Sequence, residues 1–142
     1  MVNQKFATAV HILTNLAYST KQLGSKINNS DQLAESVNTN PVVIRRLIKY
    51  LTVAGLVKTT RGKTGGIQLA KDPAQISLKD IYTALPERKS VNPRTKPAYK
   101  KCAVSCSMFN IMTEISDETE RAKLNFLGSK KLSDLVEKIT KN

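Results

Sequence analysis

The chain has no tryptophan, one histidine and two cysteines among its 142 residues, and aromatic side chains make up 5% of it. Each shortage excludes something. Two cysteines cannot build a disulfide framework, which leaves redox sensing, metal binding or plain burial for them. One histidine, with no paired carboxylates in the basic half and no nucleotide-binding glycine loop, supplies no catalytic group set, so an enzyme is not expected. Gly62-Lys63-Thr64 echoes a phosphate loop without the spacing such a loop requires. Tyr50 is the only aromatic residue between Tyr18 and Tyr82, which argues against a reader of single strands that stacks bases on rings. No run of about 18 apolar residues exists to cross a bilayer. Near the N-terminus Thr8, His11, Thr14 and Asn15 interrupt the apolar stretch, unlike a signal peptide. The chain is expected to be soluble and cytoplasmic, with one globular core and at most a small appended element.

Acidic residues are missing from one stretch altogether: none occurs between Glu35 and Asp72. The net charge of +12 is therefore partitioned. Residues 1 to 71 carry ten Lys/Arg against two acids, residues 72 to 101 seven against three, and residues 102 to 142 six against six. A basic surface for phosphates joined to a neutral assembly surface produces this division. Membrane-surface binding is disfavoured, because no Lys/Arg-rich helix also carries a Trp/Phe/Leu face.

What is present in and before the acid-free stretch is a motif. Phe6, Val10, Leu13 and Ala17 first mark an apolar helix face, with His11 beside it as a half-buried packing residue. Ser30 can cap a short helix to Val37, and Asn38-Thr39-Asn40-Pro41 joins it to the next. Asn40 caps that third helix with Pro41 at its first position, where the missing N–H costs nothing, and Gly55 stops it. Ile44, Leu47, Ile48 and Leu51 take one side of it, while Arg45, Lys49 and Thr52 fall on another with Arg46 adjacent. An ordinary solvated face mixes signs for i,i+4 pairing, and this one does not. Leu56 to Thr60 and Ile67 to Lys71 read as strands around the basic turn Arg61-Gly62-Lys63-Thr64-Gly65-Gly66. A helix-turn-helix followed by a cationic β-hairpin wing fits one partner above all, double-stranded DNA.

Downstream, Ser77 and Asp80 form a capping-box pattern for a helix that Pro86 closes. Pro86, Pro93 and Pro97 interrupt a basic segment, read as a solvated, mobile linker. Met108, Ile111, Ile115, Thr119, Ala122 and Phe126 then recur at three- and four-residue steps, with Met112 widening the stripe of a helix of about five turns. So wide an apolar face on a small domain is expected to bury itself against a second copy, giving a homodimer. Leu132, Leu135, Val136 and Ile139 mark a final short helix. The expected fold class is mainly α with a small β-hairpin: a winged helix-turn-helix domain over 1–85, a linker over 86–101, and a dimerisation helix with a C-terminal helix over 102–142.

These residues carry a family resemblance. Phe6-Ala7-Thr8-Ala9-Val10-His11-Ile12-Leu13, the exit Ala54-Gly55-Leu56-Val57 and above all the wing, in which all four fixed positions of Arg-Gly-x-x-Gly-Gly stand, resemble the Rrf2 family of bacterial winged-helix transcription regulators. The resemblance implies a dimer whose third helix enters the major groove of each half-site while Arg61 reaches into the minor groove. Thr39, Asn40, Val42, Val43, Arg45, Arg46 and Lys49 would lie on or near the DNA side, joined by Gly62 and Lys63 of the wing. Arg45 could grip guanine O6 and N7 in bidentate fashion. Cluster-binding members of the family present three cysteines in a short loop before the long helix, whereas this chain offers Cys102 and Cys106 there. An iron–sulfur cluster would need non-cysteine ligands and zinc lacks a second ligand pair, so no metal or cofactor is expected. Cys102, following Lys100 and Lys101 at the start of a helix, is instead a candidate redox thiol. Cys106 resolves it only if the chain between them is not a regular helix; burial as a small hydrophobe is the other reading. The expected function is a sequence-specific transcriptional regulator, a repressor, binding a pseudo-palindromic operator as a homodimer and responding to redox state through Cys102. Nonspecific nucleic-acid binding and sensing through a cluster are the alternatives; neither a small-molecule substrate nor a membrane partner is expected.

Overall fold

Capping residues decide where this chain turns. A computed structural model describes residues 4–22, 29–61, 66–86 and 89–141. They form α1 (Lys5–Gln22), α2 (Ser30–Val37), α3 (Pro41–Val53), β1 (Val57–Thr60), β2 (Gly66–Leu69), a 3-10 turn Pro73–Gln75, α4 (Leu78–Ala84), α5 (Ala103–Gly128) and α6 (Leu132–Thr140). The expected mainly α fold with a two-stranded wing is what the chain adopts. No helix of the described residues is long and apolar enough to cross a membrane.

The start of α2 corrects one expectation. Asn29 caps it, not Ser30: its Oδ1 accepts the Gln32 N–H at 2.8 Å and its own N–H reaches Gln32 Oε1 at 3.0 Å. Both residue types favour caps, but a reciprocal pair needs Glu or Gln three positions on, and three after Ser30 stands Leu33, which is buried. At the other end Asn38 adopts the left-handed conformation, φ 61°, and donates its N–H back to Ala34 and Glu35. Asn tolerates that region better than most residues, so the turn into α3 is tight. Gly55, with φ 77°, ends α3 as expected. The hairpin pairs Val57 with Leu69 and Thr60 with Gly66 in antiparallel register.

The chain divides into two compact units, 1–87 with 128–142 and 88–127. In the first, α1 packs against α2, α4, β2 and α6. It therefore buries more than the single stripe predicted: Ala9, Ile12, Leu13, Leu16 and Ala17 are buried, and Phe6 and Val10 are half-buried beside them. Leu33 of α2, Ile44, Leu47 and Leu51 of α3, Val57 and Ile67 of the hairpin and Ile81 of α4 join this core. His11 is exposed rather than packed; its Nε2 lies 3.2 Å from Ser36 Oγ, joining α1 to α2.

The unit boundary departs from the division at 102–142. Residues of α6 fold with the first unit: Leu132 and Val136 enter the same core as α1, and backbone hydrogen bonds run from Leu78 N to Lys130 O (2.9 Å) and from Leu132 N to Ile76 O (2.8 Å). The amphipathic pattern of α6 reveals an apolar face but not what covers it.

In the second unit α5 runs for 26 residues, about seven turns rather than five. Ser116 and Leu127 are its only buried residues. Residues 89–101 form no helix or strand, yet are tied to α5 at both ends, by a Lys89 Nζ–Asp117 Oδ1 salt bridge of 2.8 Å and by Tyr99 N–H donating to Ser105 Oγ at 2.7 Å. The solvated loop is thus a strap.

Candidate nucleic-acid interface

Two elements of the first unit present the cationic side chains. Asn40 caps α3, its Oδ1 accepting the Val42 N–H at 2.8 Å, and Pro41 follows at the first helical position. The cap sets the helix start, and the apolar positions set its roll. Because Ile44, Leu47, Ile48 and Leu51 are buried, Val42, Arg45, Arg46 and Lys49 must face outward, and all four are exposed. Val42 and its neighbour Val43 are exposed with them, at 49% and 38%.

An open depression of about 680 Å³ gathers Arg45, Arg46 and Lys49 of α3 with Arg61 at the end of β1. None of the four cations forms a salt bridge among the described residues. Leaving four like charges together without acids has a cost in self-repulsion that a polyanion removes. Thr59 of β1 and Ser30 of α2 line the same depression. In the sequence Thr59 is legible only as a strand position and Ser30 only as a cap. Thr39 is half-buried in the turn before α3, while Asn40 is exposed with its carbonyl oxygen engaged in the cap. Gly62 and Lys63 lie outside the described residues.

The apolar positions predicted for an interface fall on α5 as one stripe. Met108, Ile111 and Ile115 are exposed, at 40%, 46% and 43%, as are Ala122 and Phe126, while Met112 and Thr119 are half-buried. The two thiols sit at the start of the same helix. Cys102 precedes α5, half-buried, and its Sγ accepts the Ser105 N–H at 3.5 Å. Exposed Cys106 donates its thiol toward the carbonyls of Lys100 (3.6 Å) and Tyr99 (3.8 Å). The Cys106 N–H bonds Cys102 O at 3.1 Å, so the two lie on one regular helical turn. That condition removes Cys106 as an intrachain resolving thiol unless the turn unwinds.

Together the fold and the cationic face define a winged helix-turn-helix, DNA-binding transcriptional regulator. The chain belongs to the Rrf2 family, described as iron-dependent transcriptional regulators, whose profile matches residues 2–138. It is 36% identical over 96% of its length, and 97% of the relative's, to YwnA of Bacillus subtilis (strain 168), named as an HTH-type transcriptional regulator. Its fold is similar to that of T. potens IscR, with a TM-score of 0.72 at 23% identity, covering 98% of this chain and 88% of that one. It is also similar to CymR (YrzC), the global cysteine regulator of B. subtilis, with a TM-score of 0.65 at 23% identity over 96% of both chains.

The family description names iron, and the donor set does not match it. Among the described residues no three His, Cys, Asp or Glu side chains come together where they could hold a metal ion. The second unit offers two thiols on one turn, short of the four ligands an iron–sulfur cluster takes. The described residues of the single chain do not fit a cluster.

Proposed function

We propose that the chain represses transcription as a homodimer on a pseudo-palindromic operator. The observation that carries this reading is the group of four unneutralised cations that α3 and the wing strand place in one depression. In the proposed docking α3 lies in the major groove, with Arg45 on a guanine and Arg46 and Lys49 on phosphates. Thr39, Asn40 and Val42 lie along its entry, and Arg61, with Gly62 and Lys63 beside it, takes the minor groove. The stripe Met108, Ile111, Met112, Ile115, Thr119, Ala122 and Phe126 is the proposed dimer interface. Two copies place two third helices on one face of the duplex, so the operator carries inverted half-sites.

Oxidation of Cys102 is the proposed signal. Hydrogen peroxide transfers one oxygen to the thiol, its O–O bond breaking to give a sulfenic acid and water. Support comes from its place at the helix start, where Sγ already accepts a backbone N–H that a more polar sulfur would hold differently.

Operator binding tests both parts. Arg45→Ala is expected to cost about 1 to 3 kcal/mol with a change of base preference at one position per half-site. Arg61→Ala is expected to weaken binding and to lower the salt slope by about one for each phosphate it no longer neutralises. Wild-type affinity and selectivity in both variants would overturn the docking. Hydrogen peroxide is expected to weaken wild-type binding and leave Cys102→Ser unaffected; identical responses would overturn the redox role.

A further inference from the structure

The first unit holds a cavity that the DNA-binding reading does not use. It opens between α1, β2, the turn that follows β2, and α6, and measures about 500 Å³, within the roughly 300–1,000 Å³ typical of small-molecule sites. Ala17, Leu69, Pro73 and Val136 give it an apolar wall. Two opposite charges border that wall side by side, Lys71 and Asp72. They form no salt bridge with each other or with any described residue. Asp72 commits one oxygen to the fold, Oδ1 accepting the Ala74 N–H at 2.8 Å. The Ser133 hydroxyl also lines the cavity, with no hydrogen bond among the described residues.

A ligand that satisfies this set carries a carboxylate, an ammonium group and a compact hydrocarbon body. Lys71 and Asp72 are both exposed at the rim, so a ligand with a single charge is attracted by one and repelled by the other, whereas a zwitterion matches both. We propose that the cavity binds an apolar α-amino acid, its carboxylate on Lys71, its ammonium on Asp72 and its side chain against Leu69 and Val136. The wall is also a route to the DNA face. Leu69 pairs with Val57 and Gln68 with Lys58, and the strand they pair with leads directly to Arg61. The bound amino acid is therefore an effector of operator binding. That second step rests on the proposed function; the binding itself does not.

The test is a titration of the isotope-labelled full chain, followed by amide chemical shifts, with L-leucine, L-isoleucine, L-methionine and L-phenylalanine. Two truncated probes run in parallel: 4-methylpentanoate, which lacks the ammonium group, and 3-methylbutylamine, which lacks the carboxylate. At least one amino acid is expected to give saturable shifts at Gln68, Leu69, Lys71 and Ser133, with both truncated probes weaker by about tenfold or more. Lys71→Ala and Asp72→Asn are each expected to weaken the amino acid by about the same factor, while their spectra report directly that the fold persists. No saturable shift at millimolar ligand, shifts confined elsewhere, or binding indifferent to both charges would overturn the site. Saturating amino acid is expected to change operator affinity severalfold; unchanged affinity would overturn the effector role. A chain that binds the amino acid but no operator would instead overturn the DNA docking and uphold the cavity's assignment.

Discussion

The two units differ in how far each finishes its own core. In the first, α1, α2, α3, α4 and α6 together with the hairpin contribute to one shared set of buried side chains. In the second, a helix of 26 residues buries only Ser116 and Leu127 and leaves Met108, Ile111 and Ile115 in solvent. Exposed apolar surface of that kind marks an interaction site. The cations of α3 and the wing strand thus stand on the finished unit, and the longest exposed apolar stripe stands on the unfinished one. In the proposed function a polyanion completes the first and a second copy of the chain completes the other.

The largest effect that separates the units is expected in α6, which the sequence pattern groups with α5 but which closes the first core. Leu132 is fully buried. Leu132→Ala is expected to destabilise the first unit by about 2 to 5 kcal/mol in urea unfolding. A change within the roughly 0.5 kcal/mol scatter of surface substitutions would return α6 to the other unit. Next in size is the double variant Ile111→Glu with Ile115→Glu. Both positions are exposed on the single chain, so the fold tolerates the charges, but a dimer would have to bury them. Sedimentation is expected to show self-association weakened at least about a hundredfold, or about 2.7 kcal/mol, with the unfolding of the first unit unchanged. Equal association in variant and wild type would remove the stripe from the interface.

The smallest effect belongs to the strap. A hydrogen bond from Lys89 holds the Asp117 carboxyl below its ordinary range, and the same pairing raises the Lys89 ammonium above its own. The stabilisation from this ion pair is present above the ordinary carboxylate range and disappears as pH falls through the lowered Asp117 value; at the alkaline end it disappears as pH rises through the raised Lys89 value. Both groups are solvent-exposed, so the global midpoint is expected to stay put. Amide exchange in residues 89–101 is expected to quicken in Asp117→Asn at neutral pH, and to match wild type once the pH is low enough to protonate Asp117.

Most of the cationic face is legible in the sequence because its signals are local. Asn40-Pro41 sets the start of α3, the spacing of Ile44, Leu47, Ile48 and Leu51 sets its roll, and the absence of acids from Glu35 to Asp72 makes the outward face cationic. Long-range facts are not legible. A stripe on α1 shows that a face is buried, yet only the tertiary fold reveals that four elements share it. The same limit applies to α6, whose apolar face has no address written in it. Near-degenerate local choices are the third source of difference: Asn29 and Ser30 both suit a cap, and the Gln32 side chain decides between them. At the thiols, sequence spacing cannot distinguish a loop from a helical turn, and the Cys106 N–H to Cys102 O bond does.

Under the proposed function, cationic reading faces work in pairs through α5 and leave their symmetry in the DNA they choose. Selection of bound duplexes from a random pool by the full chain reads that symmetry. An inverted repeat is predicted, its half-site centres separated by about one helical turn, roughly 34–36 Å, or a multiple of it, with guanine the preferred base opposite Arg45. Recovery of unpaired half-sites, of direct repeats, or of no preferred sequence at all would contradict the paired docking.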